Sequence, residues 1–284
     1  MFFIDPHVHM VSRTTTDYEN MAMASVVAVS EPAFWAGFDR TPSAFADYYR
    51  QLTEFEPLRA AQFGISHYCW ICLNPKEAED SGKAREVMSL IPPFLNRPNV
   101  LGVGEIGLHK NTPNEMDIFR RHVQLAIDAG TAGRHRLILI HTPHLEDKLR
   151  GTRLIIDMLR EFGSAIDPSR VLIDHCEEHT IRMVKDAGFW AGMTVYPTTK
   201  ATPERAVDMI EIYGSERVCI NAAADWGISD PLWVHRTMLE ARRRGHKLRA
   251  LMKIFHNNPA TFFGGHPGFA IRPMDVIHRD RNTD

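Results

Sequence analysis

Five short apolar runs in this chain each lead into a histidine or a carboxylate, and that recurrence constrains the fold more than any other feature. Met1-Phe2-Phe3-Ile4 runs into Asp5-Pro6-His7-Val8-His9. Glu105 closes Val100-Leu101-Gly102-Val103-Gly104, His141 closes Leu137-Ile138-Leu139-Ile140, and His175 closes Val171-Leu172-Ile173-Asp174. Asp225 follows Val218-Cys219-Ile220-Asn221-Ala222-Ala223-Ala224. Alternation along a strand points His7 and His9 to the same face. Two imidazoles on one face, at the end of a buried strand, form a natural pair of ligands for a divalent metal. The chain therefore needs a fold that brings the ends of several distant strands to one place.

Apolar runs alternate with amphipathic stretches along almost the whole length. Strands are expected near residues 2–8, 24–30, 63–73, 99–105, 136–141, 170–175, 189–195 and 217–222. The segments between them carry helical periodicity, clearest over Met116–Ile127 and Ala206–Tyr213. Gly130, Gly163, Gly188 and Gly214 stand where helix ends or turns are expected. Eight strands separated by helices within 284 residues fit an α/β fold of the (β/α)8 TIM-barrel type. Chemistry in that fold gathers at the C-terminal ends of the strands, so candidate ligands on strands 1, 4, 5, 6 and 8 would share one cavity. An open doubly wound sheet would not bring strands 1 and 8 together so readily. Residues 1–265 read as a single barrel domain. After Phe262-Phe263-Gly264-Gly265 the regular pattern stops, and 266–284 read as a tail lying on the barrel or frayed.

A formal net charge of −2 supplies no bulk attraction for nucleic acid, so DNA binding would need a local basic groove. Cys69, Cys72, Cys176 and Cys219 fall in or beside expected strands, which suits free thiols in a reducing, cytoplasmic setting. Cys69-Trp70-Ile71-Cys72 lies inside a strand and reads as core, not as a redox motif. No signal peptide is visible, and no run reaches the roughly 18 apolar residues of a membrane span.

Asp5-Pro6-His7-Val8-His9, Val103-Gly104-Glu105-Ile106-Gly107-Leu108, Leu139-Ile140-His141, Ile173-Asp174-His175-Cys176 and Asp225 together resemble the TatD-like metal-dependent hydrolases of the amidohydrolase superfamily. Asn257-Asn258-Pro259-Ala260-Thr261-Phe262-Phe263-Gly264 looks like that family's closing helix. The resemblance implies two divalent ions, Zn, Mn or Mg. His7 and His9 would bind the first, His141 and His175 the second, and Glu105 would bridge them. Asp225 would lie beside the first ion and handle the proton of the attacking water. A carboxylate can span two ions because it has two oxygens, whereas an imidazole binds one. Two ions about 3.5–4 Å apart can hold a hydroxide at neutral pH and polarise the substrate. Gly104 and Gly107 would let neighbouring backbone approach the site.

The chain departs from the DNA-processing members at several points. His141-Thr142-Pro143-His144 stands where an arginine two residues after the histidine suits phosphate. His175-Cys176-Glu177-Glu178-His179 replaces a small glycine-containing turn, His109 an aspartate, and Ala224-Asp225 a Thr-Asp pair. Glu177 and Glu178 would repel a phosphate backbone if they faced the pocket. These differences favour a metal-activated hydroxide acting on an ester, amide or phosphoester of a small molecule. A metal-dependent deoxyribonuclease, with DNA as substrate, and a non-catalytic metal-binding scaffold are the alternatives. His109, His144, Glu177, His179 and Trp35 are the candidate substrate contacts. The arginine run Arg242-Arg243-Arg244 reads as a solvated helix end, where positive charge suits the dipole.

Overall fold

Eight parallel strands, β1 Phe3–Asp5, β2 Val26–Pro32, β3 Ser66–Ile71, β4 Val100–Gly107, β5 Leu137–His141, β6 Val171–Ile173, β7 Trp190–Thr194 and β8 Val218–Asn221, pair in sequence order in the computed structural model. The structure describes residues 1–34, 37–143 and 147–274. Helices cross between the strands, which gives the (β/α)8 barrel expected from the alternating pattern. The seam between β8 and β1 is joined just beyond the strand ends. The Ala223 N–H donates to the His7 carbonyl at 2.7 Å, and the His9 N–H donates to the Ala224 carbonyl at 2.9 Å. Below them the Asp5 carboxylate accepts the Ala222 N–H at 3.3–3.4 Å.

β1 is shorter than the expected run over 2–8. Pro6 has no N–H to give a ladder, so the strand stops at Asp5. His7 and His9 therefore sit on the segment that follows, held by the seam bonds and by the Val8 N–H on the Ser30 carbonyl at 3.0 Å.

Three of the returning helices start on the same dipeptide. Thr41-Pro42, Thr112-Pro113 and Thr202-Pro203 each place a threonine hydroxyl on the N–H three residues on, at 3.3, 3.2 and 3.3 Å. The proline takes the first helical position, where no N–H is needed. The helix Pro113–Asp128 buries Ile118, Phe119, His122, Val123 and Ala126, a stripe at three- and four-residue spacing that packs on the sheet.

The barrel interior is divided. Its lower half is apolar, filled by Ile4, Ala28, Tyr68, Trp70, Leu101, Leu139, Leu172 and Cys219. The helix Asn258–Phe263 lies under it, with Asn258 Nδ2 donating to the carbonyls of Ser215 and Val218, both at 2.7 Å. Phe262, Phe263 and Phe269 close the floor, with the Phe269 and Tyr68 ring centroids 4.7 Å apart. The described part of the C-terminal segment thus packs against the barrel through Phe269; residues 275–284 lie outside the described residues. All four cysteines are buried and free, and Cys69-Trp70-Ile71-Cys72 is core strand and strand end. No helix among the described residues is long and apolar enough to cross a membrane.

Close approach of β4 to β5 depends on glycine. A Cβ added at Gly102 would lie 2.0 Å from the Leu137 carbonyl oxygen, which is backbone and cannot yield. Gly102→Ala is expected to lower stability by about 3 kcal/mol or more, because the strand pair must separate. Urea unfolding checks this, and an unchanged midpoint would refute it.

Candidate metal centre

Above the apolar floor, polar side chains from six strand ends converge. Glu105 sits at the centre, buried at 1% exposure on β4. Its two oxygens face different partners. Oε2 lies 3.5 Å from His7 Nε2, and His7 Nε2 lies 3.2 Å from His9 Nε2. Oε1 lies 3.0 Å from His175 Nε2 and in short contact with His141 Nδ1. One carboxylate therefore stands between His7, with His9 beyond it, on one side and His141 and His175 on the other.

The surrounding hydrogen bonds fix which nitrogen of two of these rings carries its proton. Asn221 Nδ2 donates to both oxygens of Asp174, at 2.9 and 3.0 Å, so the Asn221 amide oxygen is left to accept. It accepts from the Thr194 hydroxyl at 2.8 Å. The Thr194 oxygen is then an acceptor for His175 Nδ1 at 2.6 Å, which puts the proton on Nδ1 and the lone pair on Nε2. Asp174 Oδ2 accepts from His7 Nδ1 at 2.6 Å, with the same result for His7. Two nitrogen lone pairs and a carboxylate thus point at one another. His7, Glu105 and His175 bring their ligand atoms within 4.8 Å of one another, and a cation resolves that electron-rich meeting. His9 Nδ1 and His141 Nε2 are buried polar atoms without a hydrogen-bond partner among the described residues.

The charge states agree with a ligand set. Burial opposes ionisation of Glu105, but His141 and His7 beside it, with hydrogen bonds from His141 and His175, hold its carboxyl well below the usual range. Burial lowers His141 and takes His175 well below its ordinary value, so both are neutral at pH 7. Burial and the neighbouring His7 push His9 down to about 3. His7 alone of the four is raised: burial opposes this, but Glu105 and Asp174 outweigh it.

These residues line a cavity of about 340 Å³ at the C-terminal end of the barrel. Asp225 shares it, with Oδ1 accepting the Tyr196 hydroxyl and the Gly227 N–H, both at 2.8 Å. Burial opposes its ionisation, but those two donors outweigh it and hold the carboxyl below its usual value. His109 lines the same cavity, as do Phe34, Lys76 and Lys200. Glu177 and His179 do not. Glu177 lies 3.6 Å from the Lys148 ammonium, and His179 is exposed. Glu178 is engaged by both arms of Arg205 at 2.7 Å. The acidic pair after β6 is therefore turned to its own cations and away from the cavity. Trp35 and His144 lie outside the described residues. A larger cleft of about 880 Å³ opens at the N-terminal ends of β7 and β8, so chemistry and not volume selects the site.

Sequence reasoning missed Asp174 because it counted alternation back from His175; counted from Leu172, which fills the barrel interior, alternation points Asp174 inward. The strand ends at Ile173, and His175 has φ +59°, a left-handed turn that breaks the alternation. Thr194 and Asn221 were missed because each ends an apolar strand without being a metal-ligand type. Tyr196 and Lys200 lie in the loop after β7, where no periodicity marks them.

No family model matches the chain. It is 28% identical over 263 residues to an uncharacterized metal-dependent hydrolase of Methanocaldococcus jannaschii, covering 92% of this chain and 99% of that protein. In fold it is similar to a TatD-like protein of Archaeoglobus fulgidus, with a TM-score of 0.68, 23% identity, and coverage of 86% and 94% of the two chains. A β-aspartyl dipeptidase of Fervidobacterium islandicum has a TM-score of 0.69 at 16% identity, covering 96% of this chain and 76% of that one. The resemblance read from the sequence is thus met twice, in sequence by a metal-dependent hydrolase and in fold by a TatD-like protein.

Asp174 tests the second layer of this site. Asp174→Asn puts an amide between His7 Nδ1 and the Asn221 amide, and one of its contacts must become donor against donor. Metal affinity is expected to fall about 10–100-fold with the fold intact. Zinc titration with a competing chelator measures it, and wild-type affinity would refute the assignment.

Proposed function

We propose that this homologue of a metal-dependent hydrolase holds two divalent ions, one on each side of Glu105, and hydrolyses an ester, amide or phosphoester of a small molecule. The observation that carries this reading is that Glu105 Oε2 faces His7, which has His9 beside it, while Oε1 faces His141 and His175. His7 and His9 would hold one ion, and His141 and His175 the other. Four imidazoles and two carboxylates suit zinc or manganese better than magnesium. When bound, such ions lower the pKa of water and polarise the bond under attack.

The chain's own groups supply the rest. Asp225 is ionised at neutral pH and stands at the cavity, so it can accept the proton of the attacking water and return it to the leaving group. Tyr196 fixes the direction of that carboxylate by donating to Oδ1, which leaves Oδ2 for the proton. Phe34 gives the cavity an apolar wall, and the exposed Ile228 stands at its rim. The cavity volume lies in the range of small-molecule sites. Four buried thiols without a disulfide fit a reducing compartment, and we place the enzyme in the cytoplasm.

One observation favours the deoxyribonuclease as a second reading. Glu177 and Glu178 are paired with Lys148 and Arg205, so they do not set up the repulsion of phosphate expected from sequence. Parallel assays on oligonucleotides and on small esters, lactones and phosphoesters, with Mg, Mn and Zn, separate the two. The small molecules should be turned over and DNA should not. Metal-dependent shortening of DNA that is lost in Glu105→Ala would reverse the preference.

Two variants distinguish ligand from base. Glu105→Gln should lose metal from both positions, since an amide has no second anionic oxygen. Asp225→Asn should keep most of its metal and lose about 10²–10⁴-fold in turnover. Metal content by mass spectrometry decides between them, and equal metal loss would make Asp225 mainly a ligand.

Tyr196→Phe removes a donor that stabilises ionised Asp225, so the carboxyl pKa rises. The acidic limb of the pH–rate profile should then move to higher pH, with activity lost earlier as pH falls. A limb that stays in place would separate Tyr196 from the proton acceptor.

A further inference from the structure

We infer that Lys200 is a specificity-determining residue of this cavity, its ammonium receiving an oxyanion, carboxylate or phosphate, on the substrate. The inference rests on the two-ion reading above and names the class of small molecule.

Lys200 is placed by a loop pinned at both ends. After β7 the chain leaves the sheet and returns, and Val195 and Ala201 pair across the neck. The Tyr196 N–H donates to the Ala201 carbonyl at 3.0 Å, and the Ala201 N–H donates to the Thr194 carbonyl at 3.2 Å. Lys200 itself takes φ +63°, a left-handed turn at a non-glycine residue. Its carbonyl accepts from Arg205 Nη1 at 2.5 Å, and the same guanidinium is locked on Glu178 by two bonds of 2.7 Å. Glu178, outside the cavity, thus holds the backbone from which Lys200 reaches in.

The side chain is half-buried and lines the cavity beside His7, His141 and His175. Burial lowers its pKa against the attraction of Glu105, Asp174 and Asp225, and no salt bridge ties its ammonium to any of them among the described residues. Its head lies 5.5 Å from the Tyr196 ring centroid. Lys76 enters from the opposite wall, its ammonium 5.0 Å from the Phe34 ring centroid, also without a carboxylate partner among the described residues. Nearby lysines that serve structure are paired differently: Lys148 with Glu177 and the His175 carbonyl, Lys83 with Glu77.

The charge balance then decides. Two divalent ions would offset the carboxylates of Glu105, Asp174, Asp225 and, where it is ionised, Asp5, so Lys200 and Lys76 supply a positive excess. A cavity of that sign, in a medium of low dielectric, is filled best by an anion. A neutral ester would leave the half-buried Lys200 ammonium without a counter-charge.

The test uses the metal-loaded protein and two probes, inorganic phosphate and benzoate, in calorimetric titration, with metal content measured on the same samples. Lys200→Met should keep at least wild-type metal, since a repelling cation is removed. It should bind at least one probe about tenfold more weakly, the loss of a charged hydrogen bond. Lys200→Arg should stay within about threefold of wild type, because the charge is retained. Which probe is affected identifies the oxyanion. Unchanged binding of both probes in Lys200→Met overturns the proposal, and so does loss of metal in that variant, which would make Lys200 structural. A wild-type protein that takes up no metal would refute the two-ion reading. That result would also remove the charge excess on which the role of Lys200 rests, whereas metal uptake with unchanged probe binding in Lys200→Met overturns the Lys200 assignment alone.

Discussion

A buried carboxylate with two oxygens in two different settings is the constraint on which this structure turns. Glu105 is almost wholly removed from water, and an unpaired carboxylate there would cost several kcal/mol. Its charge is sustained by His7 from the first strand end, His141 from the fifth and His175 from the sixth. Those residues are far apart in sequence, so the charge can be sustained only if the strands close on one another. The seam bonds between His7, Ala223 and Ala224 belong to the same requirement, because they bring the two termini of the sheet to Glu105.

The barrel separates what stabilises it from what acts. Its lower half is a packed apolar layer floored by Phe262, Phe263 and Phe269, where burial of large side chains supplies the driving force. Its upper half holds Asp5, His7, His9, Glu105, Asp174 and His175, all buried, polar and in part charged. Such a layer contributes little net stability and depends on the floor to hold its geometry. A polar cluster placed on loops alone would not keep two imidazole nitrogens and a carboxylate oxygen within 4.8 Å of one another.

Much of this was legible in the sequence because it is periodic. Apolar runs mark the eight strands, and a histidine or carboxylate closing a run marks the strand ends that carry Glu105, His141 and His175. What stayed hidden breaks the period or has no sequence mark. Asp174 points inward by alternation from Leu172, but His175 joins it on that side only through a left-handed backbone, which alternation cannot foresee. The Glu177-Glu178 pair reads as a negative rim, but the acidity is answered by Lys148 and Arg205, thirty or so residues away in either direction. Lys200 is one lysine in a loop, and its position is set by an arginine whose other partner lies before the preceding helix. Pairing of charges across loops is a tertiary fact, so a local charge count misjudged the potential of the cavity.

The line of hydrogen bonds from Asp174 through Asn221 and Thr194 to His175 shows how one fold orients two candidate ligands at once. Each member has a single consistent role: the Asn221 amide nitrogen gives to Asp174, its oxygen takes from Thr194, and the Thr194 oxygen takes from His175. Reversing any one would leave a donor facing a donor in a buried site, at a cost of about 1–3 kcal/mol. The direction is therefore set by the one carboxylate at its end, which can only accept while ionised. Asp174 also accepts from His7, so the same charge settles the proton of the first-strand histidine. His141 escapes this control, since it turns Nδ1 to Glu105 and leaves Nε2 without a partner among the described residues. Of the four imidazoles, His7 and His175 have their ligating nitrogen fixed by β6, β7 and β8, whereas His141 takes its orientation from Glu105 itself. Loss of Glu105 therefore removes the carboxylate that faces His7 and the orienting partner of His141 together.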